Sequence, residues 1–108
     1  MMNYNLTTDQ VEEMCNDFKA LADQTRMRII LCLLSGEKSV NEISVAVKMS
    51  QSATSHQLRI LKDYRVLKCK KQGTVNYYRI ADEHVKTIIE MSIKHLECNK
   101  ESLWEAVK

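Results

Sequence analysis

The last third of the chain carries Asp82-x-His84, then His95 and Cys98, side chains that bind divalent transition metals through oxygen, nitrogen and sulfur. His84 and His95 lie 11 residues apart. On a helix that is three turns to within about 20°, so they share a face, and Cys98 continues it one turn on. At about 1.5 Å per residue the two imidazoles are separated by roughly 16 Å along the axis, too far to hold one ion. Antiparallel pairing with the same helix of a second copy would set His84 beside the partner's His95. Ile88 and Met91 would then fill the seam between two such meeting points.

A second constellation is the run Met49-Ser50-Gln51-Ser52-Ala53-Thr54-Ser55-His56-Gln57-Leu58, dense in small polar groups. On a helix Gln51, Ser52, Ser55 and His56 fall near one another, with Ala53, Leu58 and Leu61 expected to face the core. Such a polar first turn suits a DNA major groove, where Gln and Ser reach base edges and the helix N-terminus meets phosphate. The charges around it agree. The net charge of the 108-residue chain is only +2, yet residues 48–79 hold eight basic side chains against the single acid Asp63. Residues 1–37 hold three basic and six acidic side chains, and residues 80–108 four and six. A basic middle in an otherwise acidic chain is the footprint of a phosphate-contacting surface.

The elements that must position these groups can be read from caps and periodicity. There is no proline, and Gly36 and Gly73 are the only glycines, so the chain should be mostly helical. Thr7, Thr8 or Asp9 can cap a first helix through Ala22, with Val11, Met14, Cys15, Phe18 and Leu21 at helical spacing. A second helix spans about Thr25 to Ser35, with Met27, Ile30, Leu31 and Leu34 apolar, and stops at Gly36. Ser39 can cap a short third helix ending near Lys48, and Ser50 a fourth through about Tyr64. Two short helices joined this tightly form a helix-turn-helix. Two strand-like runs, Val66–Lys71 and Val75–Ile80, flank Gln72-Gly73-Thr74 and read as a hairpin with the basic Lys70 and Lys71 near its tip. Asp82 can cap a last helix from about Glu83 to Cys98.

The expected fold is therefore mainly α with a small β-hairpin, a winged helix-turn-helix in the order α-α-α-α-β-β-α. It forms one domain over 1–108: N-terminal helices 8–36, helix-turn-helix 39–64, wing 66–80, last helix 82–98, and a polar tail 99–108 with Trp104. The longest apolar run, Ile29 to Leu34, is too short to span a bilayer, and nothing at the N-terminus reads as a signal peptide, so a cytoplasmic protein without a membrane partner is expected. Cys15, Cys32, Cys69 and Cys98 show no CxxC and no disulfide framework. Cys32 reads as packing.

Ser50 to Leu61 resembles the SQSxxSHxLxxL recognition helix of the ArsR/SmtB family of metal-responsive repressors. Phe18 to Ile29 is similar to that family's FKALADxTRxRIL opening, and the likeness covers about residues 11–98. The resemblance implies a homodimeric repressor on double-stranded operator DNA, released when an inducer binds. It puts Gln51, Ser52, Ser55 and His56 against DNA, with Lys70, Lys71 and Gln72 at the wing. The family's thiolate site lies in an ELCVCDL box, but Ser39 and Asn41 stand here where its cysteines would be, and neither supplies a thiolate. Its zinc- and cobalt-sensing members instead carry D-x-H-x10-H-x2-H/E on the last helix. The match here is Asp82, His84, His95 and Cys98, which implies Asp82 and His84 of one chain closing a tetrahedral set with His95 and Cys98 of the other. Zinc is the expected inducer, with cadmium, favoured by the softer Cys98, and cobalt as the others.

Two other functions compete. Cys15 lies on the first helix, which in this family packs on the partner's last helix, so a thiol sensor of oxidants or reactive sulfur could use Cys15 with Cys98. A winged-helix module that binds protein is the other, opposed by the polar recognition helix and the basic segment. An enzyme is not expected, since no Gly-rich phosphate loop, paired acid/base motif or nucleophile elbow is present.

Overall fold

Each helix begins at a side-chain oxygen that accepts the backbone amide three residues on. Thr7 caps α1, Asp23 α2, Ser39 α3, Ser50 α4 and Asp82 α5, at 3.0–3.1 Å. Each satisfies one of the amides a helix start leaves without a partner. In the computed structural model, which describes residues 4–100, the helices are α1 (Thr8–Leu21), α2 (Gln24–Cys32), α3 (Val40–Val47), α4 (Gln51–Asp63) and α5 (Glu83–Lys100). A single 3-10 turn, Leu33–Ser35, closes α2 and hands the chain to Gly36 at φ 135, a backbone state that favours glycine. Lys48 leaves α3 in the left-handed region at φ 57, and Met49 leads directly into the α4 cap.

The wing is β2 (Leu67–Gln72) and β3 (Val75–Ile80), paired antiparallel from Leu67↔Ile80 to Gln72↔Val75. Gln72 is thus a strand residue, and the turn is only Gly73-Thr74, with Gly73 at φ 63. A further strand went unforeseen: β1 (Lys38–Ser39) pairs with β3 at Tyr78 and Tyr77. The sheet has the order β1-β3-β2, so β3 is central and the base of the wing is tied to the start of α3.

The core collects Ile29, Ile30 and Leu33 from α2 and its last turn, Ile43 from α3, Leu58 and Leu61 from α4, Val66, Leu67 and Tyr78 from the wing, and Ile89 from α5. Two expectations about faces are corrected. The buried stripe of α2 runs through Ile29 and Ile30, whereas Leu31 is exposed and Met27 and Leu34 are only partly covered. On α4 the inward residue of the first turn is Thr54, fully buried, and Ala53 is exposed. Positions 54, 58 and 61 form one i, i+4, i+7 stripe, and the helix phase set by the two leucines overrides the apolar character of alanine. α5 continues two residues past Cys98, to Lys100. The remaining tail, including Trp104, lies outside the described residues.

Of the apolar residues of α1, Ala20 and Leu21 at its C-terminal end join this core, and the rest of that side does not. Val11, Met14 and Phe18 are 48–52% exposed, Cys15 is exposed, and α5 shows Ile88, Met91 and Leu96 to solvent. Between these helices runs a cleft of about 400 Å³ lined by Met14, Phe18, Leu21, Tyr64, Val85 and Ile88. Among the described residues, no helix is long and apolar enough to cross a membrane.

Candidate nucleic-acid interface and metal centre

Gln51 is the first residue of α4, and Gln51, Ser52 and His56 are exposed while Ser55 is partly covered. The phase that sends Thr54, Leu58 and Leu61 inward turns Ser52 and His56 away from the core, while Gln51, one turn before Thr54, lies at the open end of the inner side, toward α3. Gln51 has a side-chain partner: its Nε2 donates to Oδ1 of Asn41, on the first turn of α3, at 2.8 Å. This contact was not expected, because nothing in either helix alone relates positions 41 and 51. A second tie holds α4 from the other side. Arg26 donates through Nε to the Ala20 carbonyl at 2.7 Å and through a terminal nitrogen to the Lys19 carbonyl at 3.3 Å. Its other terminal nitrogen reaches Oε1 of Gln57 at 3.4 Å. One guanidinium thus joins the C-terminal end of α1 to α4, a use of its planar fork that an ammonium cannot copy.

Lys70, Lys71 and Gln72 are exposed on the outer half of β2. By strand alternation Lys68, Lys70, Tyr77 and Arg79 share the sheet face opposite Leu67 and Tyr78. With Lys62 and Arg65, Lys68, Lys70 and Arg79 border a shallow basic concavity whose acids are Glu37 and Asp82. Lys70 lies 3.4 Å from the Glu37 carboxylate, and Arg65 donates to Glu13 of α1 at 2.6 Å. These pairs are exposed, so each is readily exchanged for a phosphate. Arg65 itself sits at φ 60, so the link from α4 to the wing is a left-handed turn at a residue other than glycine.

Of the four residues expected to hold a metal, the chain brings two together. His84 Nδ1 is 3.6 Å from Asp82 Oδ1, at the rim of the cleft between α1 and α5. The Asp82 carboxyl is held below its ordinary pKa by the Val85 amide first and by His84 as well, so it is ionised, the form that ligates. His95 and Cys98 lie along the same helix and are exposed. Among the described residues of one chain, no three His, Cys, Asp or Glu groups converge on a point that could hold an ion. The donor set suits a divalent transition metal in its chemistry, one carboxylate, two imidazoles and one thiol, but it is split into two exposed halves. Ser39 and Asn41 are occupied otherwise, Ser39 in a reciprocal cap with Glu42 and Asn41 with Gln51.

The other cysteines divide by surroundings. Burial pushes the Cys32 thiol up in pKa, which keeps it protonated. Cys69 faces Tyr78 across the wing, and burial, then the hydrogen bond with Cys69, raise the pKa of that phenol. Cys15 is exposed on α1.

Residues 23–68 match the sequence model of the bacterial regulatory proteins of the arsR family. The chain is 39% identical over 92 residues to a transcriptional repressor SmtB homolog of Synechocystis, covering 85% of this chain and 70% of that protein. It is 40% identical over 79 residues to a cadmium resistance regulatory protein CadC homolog of Staphylococcus aureus, covering 72% of this chain and 65% of that one. Among solved structures it is similar to a homodimeric winged helix-turn-helix DNA-binding domain from Mycobacterium bovis, with TM-score 0.84, 27% identity and 92% of each chain covered. It is similar too to the antimony-specific transcriptional repressor AntR, with TM-score 0.81, 32% identity and 94% of each chain covered.

Proposed function

Because the chain belongs to the arsR family of bacterial transcriptional regulators, we propose that it is a homodimeric repressor that leaves operator DNA when a divalent transition metal binds between two α5 helices, zinc before cadmium or cobalt. The observation that carries the metal part is the spacing on α5. Asp82 and His84 are paired at one end, His95 and Cys98 stand three turns on, and all four are exposed. The cleft beside Asp82 and the apolar surfaces of α1 and α5 supply an area for a second copy to cover. Gln51, Ser52, Ser55 and His56 would enter the major groove, and Lys70, Lys71 and Gln72 would meet phosphate at the wing.

An ion held by Asp82 and His84 of one chain with the partner's His95 and the partner's Cys98 cross-links the two α5 helices. Operator half-sites demand one separation of the recognition helices. If the cross-linked arrangement differs from that separation, operator affinity falls by the difference in metal affinity between the two arrangements, typically about 1–3 kcal/mol. Titration of the reduced dimer with Co(II) should give thiolate-to-metal absorption that saturates at one ion per chain. His95→Asn should abolish metal-induced release with metal-free DNA binding nearly intact, and Cys98→Ser should weaken cadmium binding more than zinc binding. Unchanged cadmium affinity in Cys98→Ser, together with loss of induction in Cys15→Ser, would instead establish a thiol sensor. That second reading rests on Cys15 and Cys98 both being exposed, and it requires release by an oxidant in the presence of a chelator.

A further inference from the structure

From the hydrogen bond between the first turns of α3 and α4 we infer that Asn41 is a specificity-determining residue that acts through Gln51, fixing which end of the Gln51 amide faces a base. The inference rests on the proposed reading of DNA by α4. A glutamine amide carries one acceptor oxygen and a nitrogen with two hydrogens. Nε2 of Gln51 gives one hydrogen to Oδ1 of Asn41, 2.8 Å away. This leaves Oε1 and the second hydrogen, the acceptor–donor pair that matches N6 and N7 of adenine in the major groove. Turning the amide by 180° exchanges the two ends and sets a donor where guanine O6 accepts. It also sets Oε1 against Oδ1 of Asn41, so the bond survives only if the Asn41 amide turns as well and offers its Nδ2 hydrogens. The arrangement seen, with Oδ1 of Asn41 toward Gln51, is the one that favours adenine over guanine.

Two features of the fold make the arrangement firm. Asn41 lies two residues beyond Ser39, whose reciprocal cap with Glu42 sets the first turn of α3. Gln51 directly follows Ser50, which caps α4 through the Ala53 amide. Both side chains are exposed, so their bond adds little to stability and its removal leaves the fold standing.

The experiment selects short duplexes with a randomised centre, using metal-free full-length protein, and compares base preferences of the parent, Gln51→Ala, Asn41→Ala and Asn41→Asp. Thermal unfolding of each variant is followed in parallel. The parent should enrich adenine over guanine at one position of each half-site, by roughly tenfold or more if the contact is bidentate. Gln51→Ala should flatten that position. Asn41→Ala should lower the adenine-to-guanine ratio there at least threefold, with other positions and the melting temperature unchanged. Asn41→Asp retains the acceptor and should restore the ratio even where its charge weakens binding to every sequence. If Gln51→Ala flattens the position and Asn41→Ala leaves it intact, the orienting role is wrong while base reading by α4 stands. If Gln51→Ala changes no position, Gln51 does not read bases and the orienting role falls with it. Equal loss on every sequence in Asn41→Ala also overturns it.

Discussion

Thr54 shows most directly what one atom does in this fold. Its side chain is fully buried beneath α4, and its hydroxyl oxygen has no hydrogen-bond partner. A buried hydroxyl without a partner costs about 1–3 kcal/mol, and valine has nearly the same shape without that oxygen. Thr54→Val should therefore raise stability by about 1 kcal/mol, seen as a melting temperature higher by a few degrees. A lower melting temperature would mean that the hydroxyl is bonded after all. The same residue marks a limit of sequence reading. A ranking by side-chain polarity sends Ala53 inward, whereas the phase of Leu58 and Leu61 sends Thr54. Asn41 was legible as a departure from a thiolate box but not as a partner of Gln51, because that contact joins two helix starts ten residues apart.

At the scale of elements, the caps carried most of the legible information. Ser39, Ser50 and Asp82 open α3, α4 and α5 as their side-chain chemistry demands, and Gly73 makes the hairpin turn. The two-residue β1 was invisible, since its pairing with Tyr77 and Tyr78 is a property of the assembled chain and of no local pattern. The α3 cap also carries a pH dependence. The Ser39 backbone amide, and then its hydroxyl, hold the Glu42 carboxyl below its ordinary pKa. A depressed carboxyl stabilises the fold above the unfolded value of about 4.3 and loses that contribution as pH falls through the folded one. Glu42→Gln keeps the shape of the cap and removes the titration. The parent should melt above this variant at pH 7, and the gap should close as pH falls from about 5 to about 3. A gap independent of pH would assign the difference to packing.

At the scale of the molecule, the exposed apolar residues of α1 and α5 are too many to be incidental. Phe18 is 52% exposed, Met91 56% and Leu96 62%. Ile88 and Met91 were expected to fill a seam with a second copy and both are exposed on the single chain, whereas the face of α1 could be read only as periodic and not as left outside the core. Met91→Glu places a charge on that surface. It should convert the proposed dimer to monomer in sedimentation and weaken operator binding well beyond the loss of one contact, with the monomer fold retained by circular dichroism. A Met91→Glu dimer of parental affinity would remove α5 from the interface.

The separation of charge along the chain also bears on how quickly the molecule arrives. A body of net charge +2 is a weak attractor as a point, but the positive groups gather on the recognition helix and the wing while the acids lie at both ends of the chain. The field of a duplex turns such a basic surface toward it before any atom touches. A larger share of collisions then begins in a productive orientation, so association should exceed the roughly 10⁵–10⁶ M⁻¹s⁻¹ of an unsteered encounter and slow as ionic strength rises. The rate of arrival would then depend on charges that an inducer on α5 leaves in place, and control by that inducer would act mainly on how long the protein stays.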